Sequence, residues 1–268
     1  MPTTRKILVR TLKLLLVFYL LICAVLYFFQ EKFIFFPDKL DKSYKFSFRE
    51  PFDEVNVETI DGNVINALWF KSAGGKDLVF YLHGNAGSLN NWGNVAKRYT
   101  DLGYDIFILD YPGYGKSSGS IKSQGQLFQD IQTTYNEMKK KYKEKDIVIL
   151  GYLIGTALAA KLASANQPRL LILQAPYYSL TDVMRRTYPL IPAFLLKYKL
   201  QTHKYLKGCM MPIVIFHGNR DEVIPYNSSI KLREEMKAGD TLITLHGQGH
   251  NGVTDNPEYI AAIRRILD

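Results

Sequence analysis

The side chains able to do chemistry in this chain gather in five short loops that contain glycine. They are His83-Gly84-Asn85-Ala86-Gly87, Asp110-Tyr111-Pro112-Gly113-Tyr114-Gly115, Gly151-Tyr152-Leu153-Ile154-Gly155, His217-Gly218-Asn219-Arg220-Asp221 and Gly247-Gln248-Gly249-His250. Histidine and aspartate are the residue types of proton transfer, and glycine lets a backbone come close to another group. Each feature also has a plain structural meaning, since a Gly-His pair can be only a turn and an Asp after a strand only a cap. No set of His, Cys, Asp and Glu has the spacing of a metal site. Gly84-Asn85-Ala86-Gly87 lacks the Lys and Ser/Thr of a phosphate-binding P-loop, so no metal or cofactor is expected. The two cysteines, Cys23 and Cys209, are too few for a disulfide scaffold.

These loops need strands and helices to hold them. Glu54–Thr59 alternates and meets an Asp61-Gly62 turn, which predicts a hairpin into Asn63–Trp69. Short apolar runs follow at Leu78–Leu82, Ile106–Leu109, Ile147–Leu150, Leu170–Leu173, Ile213–Phe216 and Leu242–Leu245. Without strict alternation they fit strands buried on both faces of a parallel sheet. Helical stretches lie between them, at Trp92–Leu102, Gln126–Tyr142, Gly155–Ala165, Ile230–Lys237 and Pro257–Leu267. The order predicts an α/β fold: a mainly parallel central sheet with flanking helices, opened by an antiparallel hairpin. In such sheets the chemistry sits at the carboxyl ends of the strands, where all five loops fall. The segment from about 180 to 207 is interrupted by proline and has no strand signal, so it is expected to be a small helical cap.

Composition places the chain among globular proteins: 268 residues, 47% hydrophobic and 22% charged. The net charge of +9 is not spread as a nucleic-acid stripe. Arg5, Lys6, Arg10 and Lys13 precede an uncharged stretch from Leu14 to Phe29, and no small-x-small cleavage site follows it. The expected organisation is therefore a basic segment (1–13), a single-pass signal anchor (14–29), a linker (30–51) and a globular domain (52–268). The dense N-terminal cluster favours the N-terminus inside and the domain outside. A chain starting near Lys45 would keep every expected strand.

With five loops in this order, residues 30–268 resemble the α/β-hydrolases, in their membrane-anchored Bem46-like branch of serine hydrolases. The resemblance implies Ser-His-Asp acyl-ester chemistry of the esterase, thioesterase or lipase kind. Asp221 and His250 would be acid and base, and the backbone N–H groups of Asn85 and Ile154 would form an oxyanion hole. His83 and His217 would be structural, and His203 and His246 would belong to the cap and surface. The family's elbow is G-x-S-x-G, whereas position 153 here is Leu. The expectation is a hydrolase that is inactive as written; the alternative is a membrane-tethered, non-catalytic protein that binds an acyl ligand or a partner. A third reading relocates the chemistry, with Thr156 as the nearest substitute hydroxyl. Tyr177, Tyr178 and Phe194 are expected to contact a small-molecule or lipid acyl ligand. Arg185, Arg186, Lys197 and Lys199 nearby suit an anionic head group or a lipidated protein.

Overall fold

The computed structural model describes residues 2–75 and 77–268. Its centre is an eight-stranded sheet: β1 (Phe52–Glu58), β2 (Val64–Phe70), β3 (Asp77–Leu82), β4 (Tyr104–Leu109), β5 (Ile147–Tyr152), β6 (Leu170–Gln174), β7 (Ile213–Gly218) and β8 (Thr241–Leu245). The spatial order is β1-β2-β4-β3-β5-β6-β7-β8. Strands β3 to β8 run parallel, while β2 pairs antiparallel with both β1 and β4. The expected hairpin and parallel sheet are both present.

The apolar runs have their physical reason in two cores, one on each face. Leu78, Phe80 and Leu82 of β3 and Ile147 and Ile149 of β5 enter one core, together with α2 (Gln124–Lys139) and α3 (Ile154–Ser164). Val79, Tyr81, Val148, Leu150 and Tyr152 enter the other, against Leu89–Tyr99 and the C-terminal helix Pro257–Leu267. A strand covered on both faces gains nothing from alternation, and the sequence shows none. The helix expected over Trp92–Leu102 is instead three pieces: Leu89–Trp92, a 3-10 turn at Gly93–Val95, and Ala96–Thr100. The ring of Phe48 packs where a side chain on Gly93 would be, so the middle piece admits only glycine there.

Outside the sheet, α1 (Pro2–Phe28) is one continuous helix. Residues 30–51, expected as a linker, are packed on the domain. Phe35 is 5% exposed within the main core, and Phe36–Pro37 forms a short parallel pair with Ala86–Gly87. The cap segment contains α4 (Leu180–Thr187), a 3-10 turn at Ala193–Leu195 and a short helix at Thr202–Leu206, with no strand.

The turn from β5 into α3 positions the functional region. A Cβ on Gly151 would lie 2.3 Å from the Gly155 carbonyl oxygen, and one on Gly155 would lie 2.0 Å from that of Leu82. Neither site admits a side chain, so the two glycines let α3 begin against the ends of β3 and β5. Between them Leu153 takes φ 50°, ψ −115°, which is unfavourable for any residue with a Cβ and costs about 1–3 kcal/mol. Its N–H donates to the Gln174 carbonyl, and its carbonyl accepts from the Thr156 N–H. Because glycine adopts this backbone freely, Leu153→Gly is expected to be more stable than Leu153→Ala by about 1 kcal/mol or more, reversing the usual order. Thermal melts of the two variants in one detergent check this, and an Ala variant as stable as the Gly variant contradicts a strained elbow.

Candidate active site

The loop after β3 is built around buried polar groups. His83 is fully buried, with Nδ1 2.7 Å from the Gly84 carbonyl oxygen and Nε2 3.5 Å from Asp110. Tyr111 donates its hydroxyl to the His83 carbonyl, and Trp92 stacks on the imidazole while donating Nε1–H to Ala86. Burial pushes the Asp110 carboxyl up, against the opposing pull of His83 and the Leu89 N–H. Asn85 is held on three sides. Its Nδ2 donates to Ile34, and its carbonyl accepts from the Phe36 N–H at 2.8 Å and the Tyr114 hydroxyl at 2.7 Å. Its own N–H donates to no acceptor among the described residues. Ile154 opens α3, where a backbone N–H has no partner within the helix and the helix dipole favours negative charge.

Asp221 and His250 come together from the ends of β7 and β8. His250 Nδ1 lies 2.9 Å from both carboxylate oxygens. Asp221 Oδ1 also accepts the N–H groups of Val223 and Ile224 at 2.9 and 2.8 Å, and its side chain is fully buried. Burial raises its pKa, but the hydrogen bonds from His217, His250 and the Ile224 N–H outweigh that and hold the carboxyl well below its ordinary range. His217 is itself fixed, with Nδ1 2.6 Å from Ser229 Oγ and Nε2 2.9 Å from the Ile224 carbonyl oxygen. Tyr152 donates its hydroxyl to the His250 carbonyl at 3.0 Å, tying the loop after β8 to the elbow. An imidazole with Nδ1–H on a carboxylate presents Nε2 as a proton acceptor, which is the arrangement of a general base.

Asn85, Leu153 and His250 meet on one cavity of about 400 Å³. Tyr81, Trp92 and Tyr152 form its aromatic wall, and Asn251, Thr254 and Asp255 its rim. The Leu153 side chain lies against Gly84, 3.4 Å from where a Cβ on that glycine would be. The Tyr81 hydroxyl is buried and has no partner among the described residues. Thr156 is fully buried, and its hydroxyl donates to the Leu153 carbonyl, so it does not face the cavity as a free group. No group of three or more His, Cys, Asp and Glu among the described residues is arranged to hold a metal ion.

The other ligand contacts expected from sequence lie elsewhere. Tyr177 is buried in the core and donates to the Ile154 carbonyl. Tyr178 stacks on His203 at 4.2 Å and donates to Glu235. Phe194 is 80% exposed on the cap. None of the three lines the cavity. The aromatic wall is not among the contacts expected from sequence, although Tyr152 lies inside the elbow and Tyr81 two residues before His83, so both positions are readable there.

The family model described as "Serine aminopeptidase, S33" matches residues 74–208, half of the chain. Alpha/beta hydrolase domain-containing protein 17B of Homo sapiens is 26% identical over 237 residues, covering 86% of this chain and 80% of that protein. The Xenopus tropicalis protein of the same description is 27% identical over the same shares. Among solved structures, a Pyrococcus furiosus esterase superposes with a TM-score of 0.70 at 17% identity, over 87% of this chain and 97% of that one. An alpha-beta hydrolase from Vibrio vulnificus gives 0.68 at 21% identity, over 81% of each. At these identities the superpositions speak for the fold, while the family match speaks for descent. The chain belongs to the α/β-hydrolases, in the family described as serine aminopeptidase, S33.

Proposed function

We propose that this is a membrane-anchored α/β-hydrolase whose site is laid out for acyl-ester chemistry but lacks the attacking oxygen, so that it is inactive as written. The observation that carries the reading is His250, held by the buried Asp221, lining the same cavity as a strained elbow occupied by leucine. In the parent reaction a hydroxyl at 153 attacks the acyl carbon, its proton passing to His250 Nε2. Asp221 holds the imidazole tautomer and stabilises the imidazolium. The developing oxyanion is received by the N–H groups of Asn85 and Ile154. The imidazolium then protonates the leaving group, and water repeats the cycle on the acyl-enzyme. Leucine offers no such oxygen.

A second reading, in which binding is itself the function, is favoured by the side chain at 153. Leu153 turns the reacting position into a hydrocarbon surface facing Tyr81, Trp92 and Tyr152, which suits an apolar chain.

A membrane role for α1 is supported by its length and composition. Thr4–Phe28 is long and apolar enough to cross a bilayer, which takes about 20 residues. The cluster Arg5, Lys6, Arg10 and Lys13 favours the N-terminus inside and the domain outside.

The full chain is expected to stay with membranes through alkaline carbonate extraction, and its release by carbonate would contradict an integral anchor. As written, the protein is expected to be inert to fluorophosphonate probes and short aryl esters. Leu153→Ser should confer both activities, because a nucleophile held beside its base and oxyanion donors reacts at high effective molarity. Combining it with His250→Ala should return both signals to baseline. A folded Leu153→Ser that stays silent would favour the binding reading, and labelling of the unaltered protein would overturn the proposed inactivity.

A further inference from the structure

The cap and the anchor touch far along α1. The Tyr19 hydroxyl donates to the Leu190 carbonyl at 2.8 Å, joining residues 171 apart. Tyr19 lies nine residues before the end of α1 at Phe28, about 13 Å back along the helix axis at 1.5 Å per residue. Nearer the end of the helix the contact continues. Gln30, which is buried, donates Nε2–H to the Leu195 carbonyl and accepts the Lys197 N–H at Oε1. Glu31 pairs with Lys197 at 2.9 Å, and the Lys197 ammonium lies over the Tyr27 ring.

The tip of the cap that follows the helix is apolar and open: Leu190 is 83% and Phe194 80% exposed, with Tyr188 beside them. In water such residues gain nothing from this position. In hydrocarbon the usual obstacle is the unpaired backbone carbonyl, and here Tyr19 of α1 and Gln30, two residues past its end, satisfy two of them, at Leu190 and Leu195. Arg185 and Arg186, in the last turn of α4, are exposed and make no ion pair among the described residues. Long basic side chains one turn away from an apolar tip reach phosphate headgroups while the tip lies deeper.

We propose that the cap tip, Tyr188 to Phe194, is inserted in the bilayer leaflet next to the domain, with Arg185 and Arg186 at its phosphates. The occupant of this apolar surface is lipid, argued from its continuity with the apolar helix. The proposal rests on the reading of α1 as a membrane helix and goes beyond it. That reading requires nothing of the cap.

The test uses the full chain with Cys23→Ala and Cys209→Ala, reconstituted in phosphatidylcholine vesicles. A single cysteine bearing an environment-sensitive nitrobenzoxadiazole label is placed by Leu190→Cys or Phe194→Cys, two exposed sites whose replacement removes nothing from the core. Leu16→Cys reports on the anchor, and Ile60→Cys, on the exposed hairpin turn, serves as the solvent reference. Labels at 190 and 194 are expected to emit to the blue of the label at 60. They should be quenched more by lipid carrying a nitroxide on its acyl chain than by lipid carrying it on its headgroup, with 190 quenched from greater depth. If 16 is quenched by acyl-chain nitroxide while 190 and 194 behave like 60, the anchor reading stands and the cap proposal is overturned. If 16 also behaves like 60, both fall. Labels at 190 and 194 shielded from aqueous iodide yet unquenched by either lipid would mean that protein, such as a second copy, covers the tip, and would equally overturn the proposal.

Discussion

Everything at this site depends on a backbone approach that leaves no room for a side chain. The start of α3 is pressed against the carbonyls that end β3, with Gly155 against Leu82 and Gly151 against Gly155. That approach brings the elbow beside the Asn85 loop rather than above it. It leaves Asn85 and Leu153 lining one cavity. It also fixes the backbone of residue 153 in a strained conformation whatever side chain it carries. The strain belongs to the turn, and here it is carried by a leucine.

The acid–base half of the site has a different constraint, which is reach. β8 is three strands away from β5, about 14 Å at ordinary strand spacing. The loop carrying His250 must return across that distance, and the Tyr152 hydroxyl on the His250 carbonyl secures its arrival. Asp221 supplies the other tether. A buried carboxylate is costly unless its lone pairs are filled, and here two backbone N–H groups and two imidazoles fill them. The same bonds that hold the charge orient the imidazole, so stability and chemical alignment come from one network.

Much of this was legible in the residues. The eight strands were readable because a sheet buried on both faces writes itself as short apolar runs; the Ile147–Leu150 run, for example, extends only to Tyr152 in the structure. The start of Pro257–Leu267 was readable because Asn256 caps a helix with proline at its first position. The broken helix after Ser88 was not readable, because the Phe48 ring that packs on Gly93 at its centre is distant in sequence. Nor were the positions of Tyr177 and Tyr178. Aromatic residues after a strand look alike whether they face a ligand or a neighbouring helix, and only packing decides between them. The two-residue pairing of Phe36–Pro37 with Ala86–Gly87 is too short to leave any periodic signal.

That small pairing changes what counts as the globular unit. Ile34 and Phe36 hold Asn85 from the side opposite the cavity, and Phe35 fills the core between them. A chain trimmed at Lys45 would retain all eight strands and still lose the Asn85 clamp. The leash between helix and domain thus braces the Asn85 loop that lines the cavity, without lining the cavity itself. A form freed of the apolar helix that still keeps Asn85 braced has to be cut before Gln30, and not at the first strand of the sheet.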